Sequence, residues 1–103
     1  MTNPTGMPAT RILRFEVPVD DGWHLIRVPK SNVLHVACHM ERLVDFWMRE
    51  SSGGTEVRAY RVFGTGQPIP QITWFEGTAV APNGQLAWHL MSATATTGEA
   101  DAG

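Results

Sequence analysis

Residues that favour turns recur at roughly ten-residue intervals along this chain, and they leave only short apolar segments between them. Proline and glycine restrict or free the backbone dihedrals, and asparagine and aspartate bond to their own backbone, so clusters of these residues interrupt regular structure. Short strands at such spacing are typical of β-sandwiches and small barrels. We therefore predict an all-β fold, a single small antiparallel β-sandwich or barrel of about seven strands. The predicted strands cover residues 11–17, 23–28, 33–40, 43–49, 55–63, 72–80 and 86–92.

Alternation of apolar and polar residues predicts which side chains form the core. In the first predicted strand, Leu13, Phe15 and Val17 share one face. Arg14 and Glu16 share the other face, because successive side chains of a strand point to opposite sides. The same reasoning along the other strands predicts a core that includes Leu13, Phe15, Val17, Leu34, Val36, Val62, Leu86 and Trp88.

Residues 33–50 also permit a single helix, because they contain few helix breakers. Their β-branched and aromatic residues favour strands, and we predict two strands joined by a turn at Glu41 and Arg42. That turn lacks the glycine or asparagine that usually marks one, so a single helix is kept as the alternative at this point. The last hairpin is better marked, since Asn83 and Gly84 suit a turn with positive φ angles.

The two ends of the chain differ in composition from the middle. Residues 1–10 carry two prolines, one glycine and no apolar periodicity, and residues 93–103 are small, polar and acidic. Such segments bury too little apolar surface to offset the entropy lost on ordering. We expect a disordered N-terminus over 1–10, one β-domain over 11–92 and a disordered C-terminus over 93–103.

Charge and cysteine content argue against several classes of protein. The net charge is -2, which argues against broad nucleic-acid binding and against a polybasic membrane contact. Cys38 is the only cysteine, so no intramolecular disulfide can form, and no apolar run is long enough to span a membrane. Residues 1–10 lack the pattern of a secretory signal. We expect a cytoplasmic protein.

The four histidines match no metal-binding or catalytic motif. His35 and His39 share one face of the third predicted strand, where four residues at roughly 3.3 Å each separate them by about 13 Å. That spacing is too wide for one metal ion, whereas on a helix the two rings would lie close together. We name no catalytic residue, no metal ligand and no cofactor. His35 and His89 are kept as candidates for a polar site, although satisfied or exposed histidines are the commoner case.

Cys38 and the acidic residues give no sharper candidate. Cys38 shares its predicted face with Leu34, Val36 and Met40, which indicates a buried, inert thiol. The adjacent His39 points to the opposite face and could not serve as its base. The strand carboxylates are expected to face solvent, and their spacing identifies no catalytic pair. They belong to Glu16, Asp45, Glu56 and Glu76.

The most distinctive segment is the loop over residues 64–70, Gly-Thr-Gly-Gln-Pro-Ile-Pro. It does not match the glycine motifs that bind nucleotides. A tight turn that needs a positive φ at Gly64 or Gly66, stiffened by two prolines, explains it structurally, and we favour that explanation. The alternative is a ligand or partner that approaches the glycine backbone. The candidate residues for such a site are Gly64, Thr65, Gly66, Gln67 and Pro68.

Three longer motifs carry a family resemblance. Residues 14–19 read Arg-Phe-Glu-Val-Pro-Val, residues 60–70 read Tyr-Arg-Val-Phe-Gly-Thr-Gly-Gln-Pro-Ile-Pro, and residues 84–90 read Gly-Gln-Leu-Ala-Trp-His-Leu. Together with shorter matches they resemble a family of small proteins of unknown function encoded by actinobacterial phages and their hosts. The resemblance implies a phage or prophage setting and supplies no activity. Relatives carry glycine in the turn before the fourth strand, where this chain has Glu41 and Arg42. The shorter matches cover residues 28–30, 33–36 and 75–78.

Two classes of function remain. We expect a non-enzymatic, phage-associated accessory protein, a protein-binding module that acts in the host cytoplasm or decorates the virion. No catalytic constellation is present, and some of the four tryptophans should stay exposed in so small a domain and mark an interface. The identity of the protein partner and self-association stay open. The alternative is a small-ligand-binding protein or an enzyme that uses the 64–70 loop with His35 or His89. A deep pocket joining that loop to a histidine would favour the alternative, and an apolar surface patch would favour the module.

Overall fold

The computed structural model describes residues 9–95, which form seven β-strands in two antiparallel sheets packed as a sandwich. This confirms the predicted all-β class. Residues 33–50 form two strands joined by a turn at Glu41 and Arg42, so the helical interpretation of this segment is wrong. The strands are β1 (Ile12–Pro18), β2 (His24–Pro29), β3 (Val33–Met40), β4 (Leu43–Arg49), β5 (Thr55–Gly64), β6 (Trp74–Val80) and β7 (Ala87–Thr94).

The strands divide unequally between the two sheets. Sheet 1 has the order β1-β4-β3, and sheet 2 has the order β2-β5-β7-β6. In sheet 1, Phe15 lies opposite Phe46 and Val17 lies opposite Val44, so apolar residues of neighbouring strands match across the face that meets sheet 2. β3 and β6 are edge strands of different sheets, and they contact each other along one flank of the sandwich without forming a ladder.

The core lies between the sheets and is built on stacked aromatic rings. Phe46 of β4 stacks on Tyr60 of β5 with ring centroids 4.6 Å apart, and Phe15 stacks on Phe46 at 5.2 Å. The rings of Phe46 and Tyr60 are fully buried, and rings of this size contribute much of the free energy of burial. The remaining buried members of the cluster are Val17, Val19, Val28, Val36, Val44, Met48, Val62, Ala79 and Leu90.

Leu34 and Leu86, both predicted to lie in the core, are instead exposed over 55% and 45% of their surfaces. A register shift between Val33 and His35 interrupts the alternation of β3 at Leu34. Leu86 precedes β7, which begins at Ala87, so strand alternation does not govern its direction. The other predicted core residues are buried or half-buried: Val17, Val36, Val62, Leu13, Phe15 and Trp88.

The turn between β6 and β7 differs in conformation from the predicted one. Gly84 has a φ of 75°, but Asn83 does not have a positive φ. The N–H of Gly84 donates to the carbonyl of Ala81 at 2.8 Å, which puts Pro82 at the first central position of the turn. Proline holds φ near −65°, so a turn with positive φ at both central residues cannot form here, and that prediction is wrong.

The predicted disordered ends, 1–10 and 93–103, lie largely outside the described residues, and this division stays a prediction. Within the described part, β7 continues to Thr94, and Ala93 is fully buried. Among residues 9–95, no helix has the length and the hydrophobicity required to cross a membrane.

Candidate functional site

A cleft of about 360 Å³ opens between the edges of the two sheets. Residues 31–33, at the start of β3, form one wall, and residues 74–76 of β6 form the other. Tyr60 and Met48, which belong to the core, lie at its floor. Glu56 and Arg58 of β5 complete the lining, and alternation puts them on the same face as Tyr60. The cleft therefore exposes part of the inner face of sheet 2.

A close contact between the sheets bounds this cleft. A Cβ atom on Gly77 of β6 would lie 2.6 Å from Cγ2 of Val36 on β3. Val36 is β-branched, so its methyl groups cannot easily rotate out of the way. Glycine at position 77 therefore lets the two edges touch at this point, whereas they stay apart between residues 31–33 and 74–76.

A polar network occupies the inner face of sheet 2 inside the cleft. Arg58 Nη2 donates to Ser92 Oγ at 3.0 Å, and Ser92 Oγ donates to Glu76 Oε2 at 2.6 Å. Ser92 is fully buried, and its hydroxyl both accepts and donates, so it links a guanidinium to a carboxylate. Arg58 also lies over the ring of Trp74, with its Cζ 5.2 Å from the ring centroid, which is a favourable cation–π geometry. The two contacts hold Arg58 between Ser92 of β7 and Trp74 of the β6 wall.

Glu56 and Glu76 give the cleft an excess of negative charge. Within residues 9–95, neither carboxylate forms an ion pair. Among the described residues that line the cleft, Arg58 is the only basic one. Both glutamates were expected to face solvent on a strand surface, and the structure instead places them half-buried in the cleft.

Tyr60 presents a hydroxyl group at the floor of the cleft. The hydroxyl donates to Met48 Sδ across 4.0 Å, and a thioether sulfur is only a weak acceptor. Burial, followed by the negative charge of Glu76, raises the pKa of Tyr60 to about 12. The Arg58 side chain, which lies within hydrogen-bonding reach of the hydroxyl, offsets this rise only in part, so the group is protonated at neutral pH.

Large apolar side chains are exposed on and next to the β6 wall. Trp74 and Phe75 are exposed over 53% and 62% of their surfaces, and Ile72, just before the strand, over 63%. Adjacent exposed side chains of this size mark interaction surfaces on monomeric proteins. We call Ile72, Trp74 and Phe75 the apolar rim.

The loop over residues 64–70 lies outside the cleft and is held by its own hydrogen bonds. The N–H of Gln67 donates to the carbonyl of Gly64 at 3.1 Å, and the N–H of Gly64 donates to Gln67 Oε1 at 3.0 Å. Gly66 has a φ of 90°, whereas Gly64 does not have a positive φ. A Cβ at Gly66 would meet no atom within 4 Å. The positive φ therefore explains why glycine stands here, and lack of space for a side chain does not.

His89 ties this loop to sheet 2. Its Nε2 lies 2.8 Å from Thr65 Oγ1 of the loop, and its Nδ1 lies 2.9 Å from Thr78 Oγ1 of β6. His35 lies on β3 in the other sheet, so the structure brings Thr65 and His89 together but does not bring His35 to them. None of these residues lines the cleft. The role predicted for the loop and the two histidines stays a prediction; its residues are Gly64, Thr65, Gly66, Gln67, Pro68, His35 and His89.

On the outer face of sheet 1, a hydrogen-bonded pair joins β3 to β4. Asp45 Oδ2 lies 3.0 Å from His39 Nδ1, and the His39 ring packs edge-on against Trp47. His35 packs on the same tryptophan at a ring distance of 5.6 Å. Asp45 is only 4% exposed, so the expectation that it faces solvent is wrong. Across the described part of the chain, no group of three or more histidine, cysteine, aspartate or glutamate side chains could hold a metal ion.

Cys38 has the environment of an unreactive thiol. It is half-buried against the core, and its Sγ donates to the carbonyl of Met40 at 3.0 Å. Burial raises the pKa of the Cys38 thiol above its usual value. Because the thiolate is the nucleophilic form, a raised pKa disfavours reaction at neutral pH.

Sequence reasoning identified none of the cleft residues as a site, although one signal was present. Glu56 and Arg58 stand in phase with Tyr60 and Val62, which point into the core from the same strand. Ser92 continues the core face of β7 in the same way. Polar residues that share a strand face with buried apolar residues indicate a place where the opposite sheet does not cover the strand.

Comparison with known proteins adds a family. The family model described as "Domain of unknown function (DUF7352)" matches residues 8–100, a range that includes every strand and the whole cleft. No curated protein and no solved structure matches the chain.

Proposed function

We propose that this chain, which belongs to the DUF7352 family, is a non-enzymatic module that binds another protein. The observation that carries the proposal is the pair of exposed aromatic residues, Trp74 and Phe75, on an edge strand beside a cleft. Aromatic residues are enriched in the buried centres of protein interfaces and carry much of the binding free energy there. Successive side chains of a strand point to opposite faces, so a partner that wraps around the β6 edge would cover both rings and remove a large apolar area from water.

The free strand edges support a protein partner rather than a small ligand. β6 pairs only with β7, and β3 pairs only with β4, within the described sheets. Edge strands carry unpaired backbone donors and acceptors, which an extended segment of another chain can use. The 64–70 loop offers less to a ligand, because the polar groups of Thr65, Gln67 and His89 already bond within the fold.

The proposed setting is a bacteriophage or prophage of an actinobacterial host, which the resemblance of residues 60–70 and 84–90 supports. The module would act in the host cytoplasm or on the virion. Mass spectrometry of purified virions and of infected-cell lysate separates these two locations, because a virion component copurifies with particles through a density gradient.

Quantitative affinity capture tests the proposed surface. Tagged wild-type protein and the Phe75→Ala variant would be incubated with host lysate, and the retained proteins compared by mass spectrometry. Phe75→Ala is expected to lose the partner that the wild type retains, with its melting temperature almost unchanged, because Phe75 is exposed. The partner would then be purified and its binding measured in isolation.

Val80→Ala is the matched control for this experiment. Val80 lies on the same strand as Phe75 and is 59% exposed, but it does not line the cleft. Val80→Ala should retain the partner as the wild type does. Equal retention by Phe75→Ala and the wild type would rule out the apolar rim as the binding surface.

A further inference from the structure

We propose that the cleft receives a basic side chain, lysine or arginine, from the partner protein. The inference rests on the proposed function and specifies the chemistry that the partner must present. It concerns the charged groups of the cleft, whereas the proposed function rests on the exposed rings of Trp74 and Phe75 at its β6 wall.

The charges of the lining favour a cation. Glu56 and Glu76 are half-buried and form no ion pair within the described residues, and Arg58 is the only opposing charge. One further cation would bring the net charge of the lining to zero. Opposite charges attract more strongly in such a recess than on an open surface, because less water screens them. An acidic side chain would add a third carboxylate to the same recess.

Arg58 leaves the two carboxylates open to an incoming group. Its guanidinium is held over the Trp74 ring of β6 and donates to Ser92 of β7, and over residues 9–95 it forms no ion pair. Glu76 accepts from Ser92 through Oε2, and a carboxylate has capacity for further hydrogen bonds through both oxygens.

Tyr60 does not compete for the two carboxylates. The residue is 1% exposed, its hydroxyl donates to the Met48 sulfur across 4.0 Å, and the Arg58 side chain lies within hydrogen-bonding reach of its oxygen. Ammonium and guanidinium groups only donate, so the carboxylates of Glu56 and Glu76 are the acceptors that the cleft offers to such a group.

The apolar rim complements the stem of such a side chain. Lysine and arginine carry three or four methylene groups, which pack on apolar surface while the charged end reaches a polar site. Trp74 and Phe75 stand at the β6 wall, where a stem entering the cleft would pass. The wall is an edge strand, so the backbone that carries the side chain could pair with it.

Short blocked peptides test the inference without the natural partner. The probes are acetyl-Thr-Val-Lys-Val-Thr-amide and its versions with arginine, norleucine or glutamate in place of lysine. Binding would be followed by two-dimensional NMR of the labelled full chain. The lysine and arginine peptides should shift the Trp74 indole signal and the amides of residues 56, 58 and 74–76. The norleucine and glutamate peptides should shift them much less.

Charge-neutralising variants show whether the carboxylates are responsible. Glu56→Gln and Glu76→Gln keep the size of each side chain. Each variant should lower the affinity for the lysine peptide about twofold to fivefold, which is the contribution of a partly screened ion pair. Glu16→Gln is the matched control, because it removes the same charge from an exposed position on β1 that does not line the cleft. Three outcomes would overturn the inference. The norleucine peptide could bind as tightly as the lysine peptide, neither basic peptide could cause shifts, or all three variants could weaken binding equally.

The same variants separate this inference from the proposed function. If Phe75→Ala loses the captured partner while the double variant Glu56→Gln/Glu76→Gln retains it fully, the binding module stands and the basic side chain is refuted. If both variants retain the partner as the wild type does, both proposals fail. If Phe75→Ala and the double variant both lose the partner while Glu16→Gln retains it, the result supports both proposals.

Discussion

The inner face of sheet 2 has two halves with opposite chemistry, although the same strands form both. In one half, Val62 of β5 and Leu90 of β7 are buried against sheet 1. In the other half, Arg58 and Ser92 of the same two strands belong to a polar network that reaches into the cleft. Alternation runs unbroken from one half to the other. Strand geometry therefore sets the direction of a side chain, whereas the opposite sheet determines whether that direction leads into the core or into a site.

The largest expected effect lies in the covered half. Phe46→Ala should lower the free energy of unfolding by about 3–5 kcal/mol, because it removes a fully buried ring and leaves a cavity. The same substitution at Phe75, which is 62% exposed, should cost less than about 1 kcal/mol. Urea denaturation of both variants measures the difference. Equal losses would show that the apolar rim belongs to the core and would remove the contrast between the halves.

The second-largest effect on stability is expected at the boundary between the two halves. Gly77→Ala should cost about 1–3 kcal/mol, because the added methyl group overlaps Val36 and forces the sheet edges apart. Gly64→Ala is the control, since the atom nearest to its Cβ is Trp88 Cζ3 at 3.5 Å, an ordinary van der Waals distance, and its φ is not positive. Thermal melts compare the two. A Gly77→Ala variant as stable as the wild type would mean that the edges are not held together at this point.

The polar network should contribute less than the core. Ser92→Ala should lower the free energy of unfolding by about 1 kcal/mol, because it removes the link between Arg58 and Glu76, both half-buried and still reached by water. Ser52→Ala, in an exposed turn, should have no measurable effect. The Trp74 indole NMR signal should also move in Ser92→Ala as Arg58 loses its anchor. An unchanged signal and an unchanged stability would show that the network is not formed.

The smallest effect is expected at the floor of the cleft. Tyr60→Phe should change the free energy of unfolding by no more than about 0.5 kcal/mol, because the hydroxyl makes a long contact with the Met48 sulfur and shares the Arg58 side chain with Ser92. Chemical denaturation measures this against wild type. A loss above about 1 kcal/mol would show that the hydroxyl contributes to the fold and would contradict this ranking.

Local patterns predicted most of the strands but not every core residue. β3 and β4 have the predicted bounds, and the pairing of Met40 with Leu43 leaves Glu41 and Arg42 as the turn between them. The prediction that Leu34 lies in the core is wrong because a register shift interrupts the alternation there. That shift depends on how β3 pairs with β4. Asp45 was expected in solvent, yet His39 and the central position of β4 in sheet 1 bury it. In both cases a neighbouring strand overrode the pattern within one strand.

The sequence by itself determined the all-β class and the succession of strands along the chain. Both depend on effects that act over a few residues, namely the two-residue period of a strand and the backbone preferences of turn residues such as Gly66 and Gly84. Only the tertiary structure decided that β3 and β6 meet at Val36 and Gly77 and part beside Trp74. That arrangement joins residues far apart in the chain, so no local pattern records it, and the cleft exists because of it.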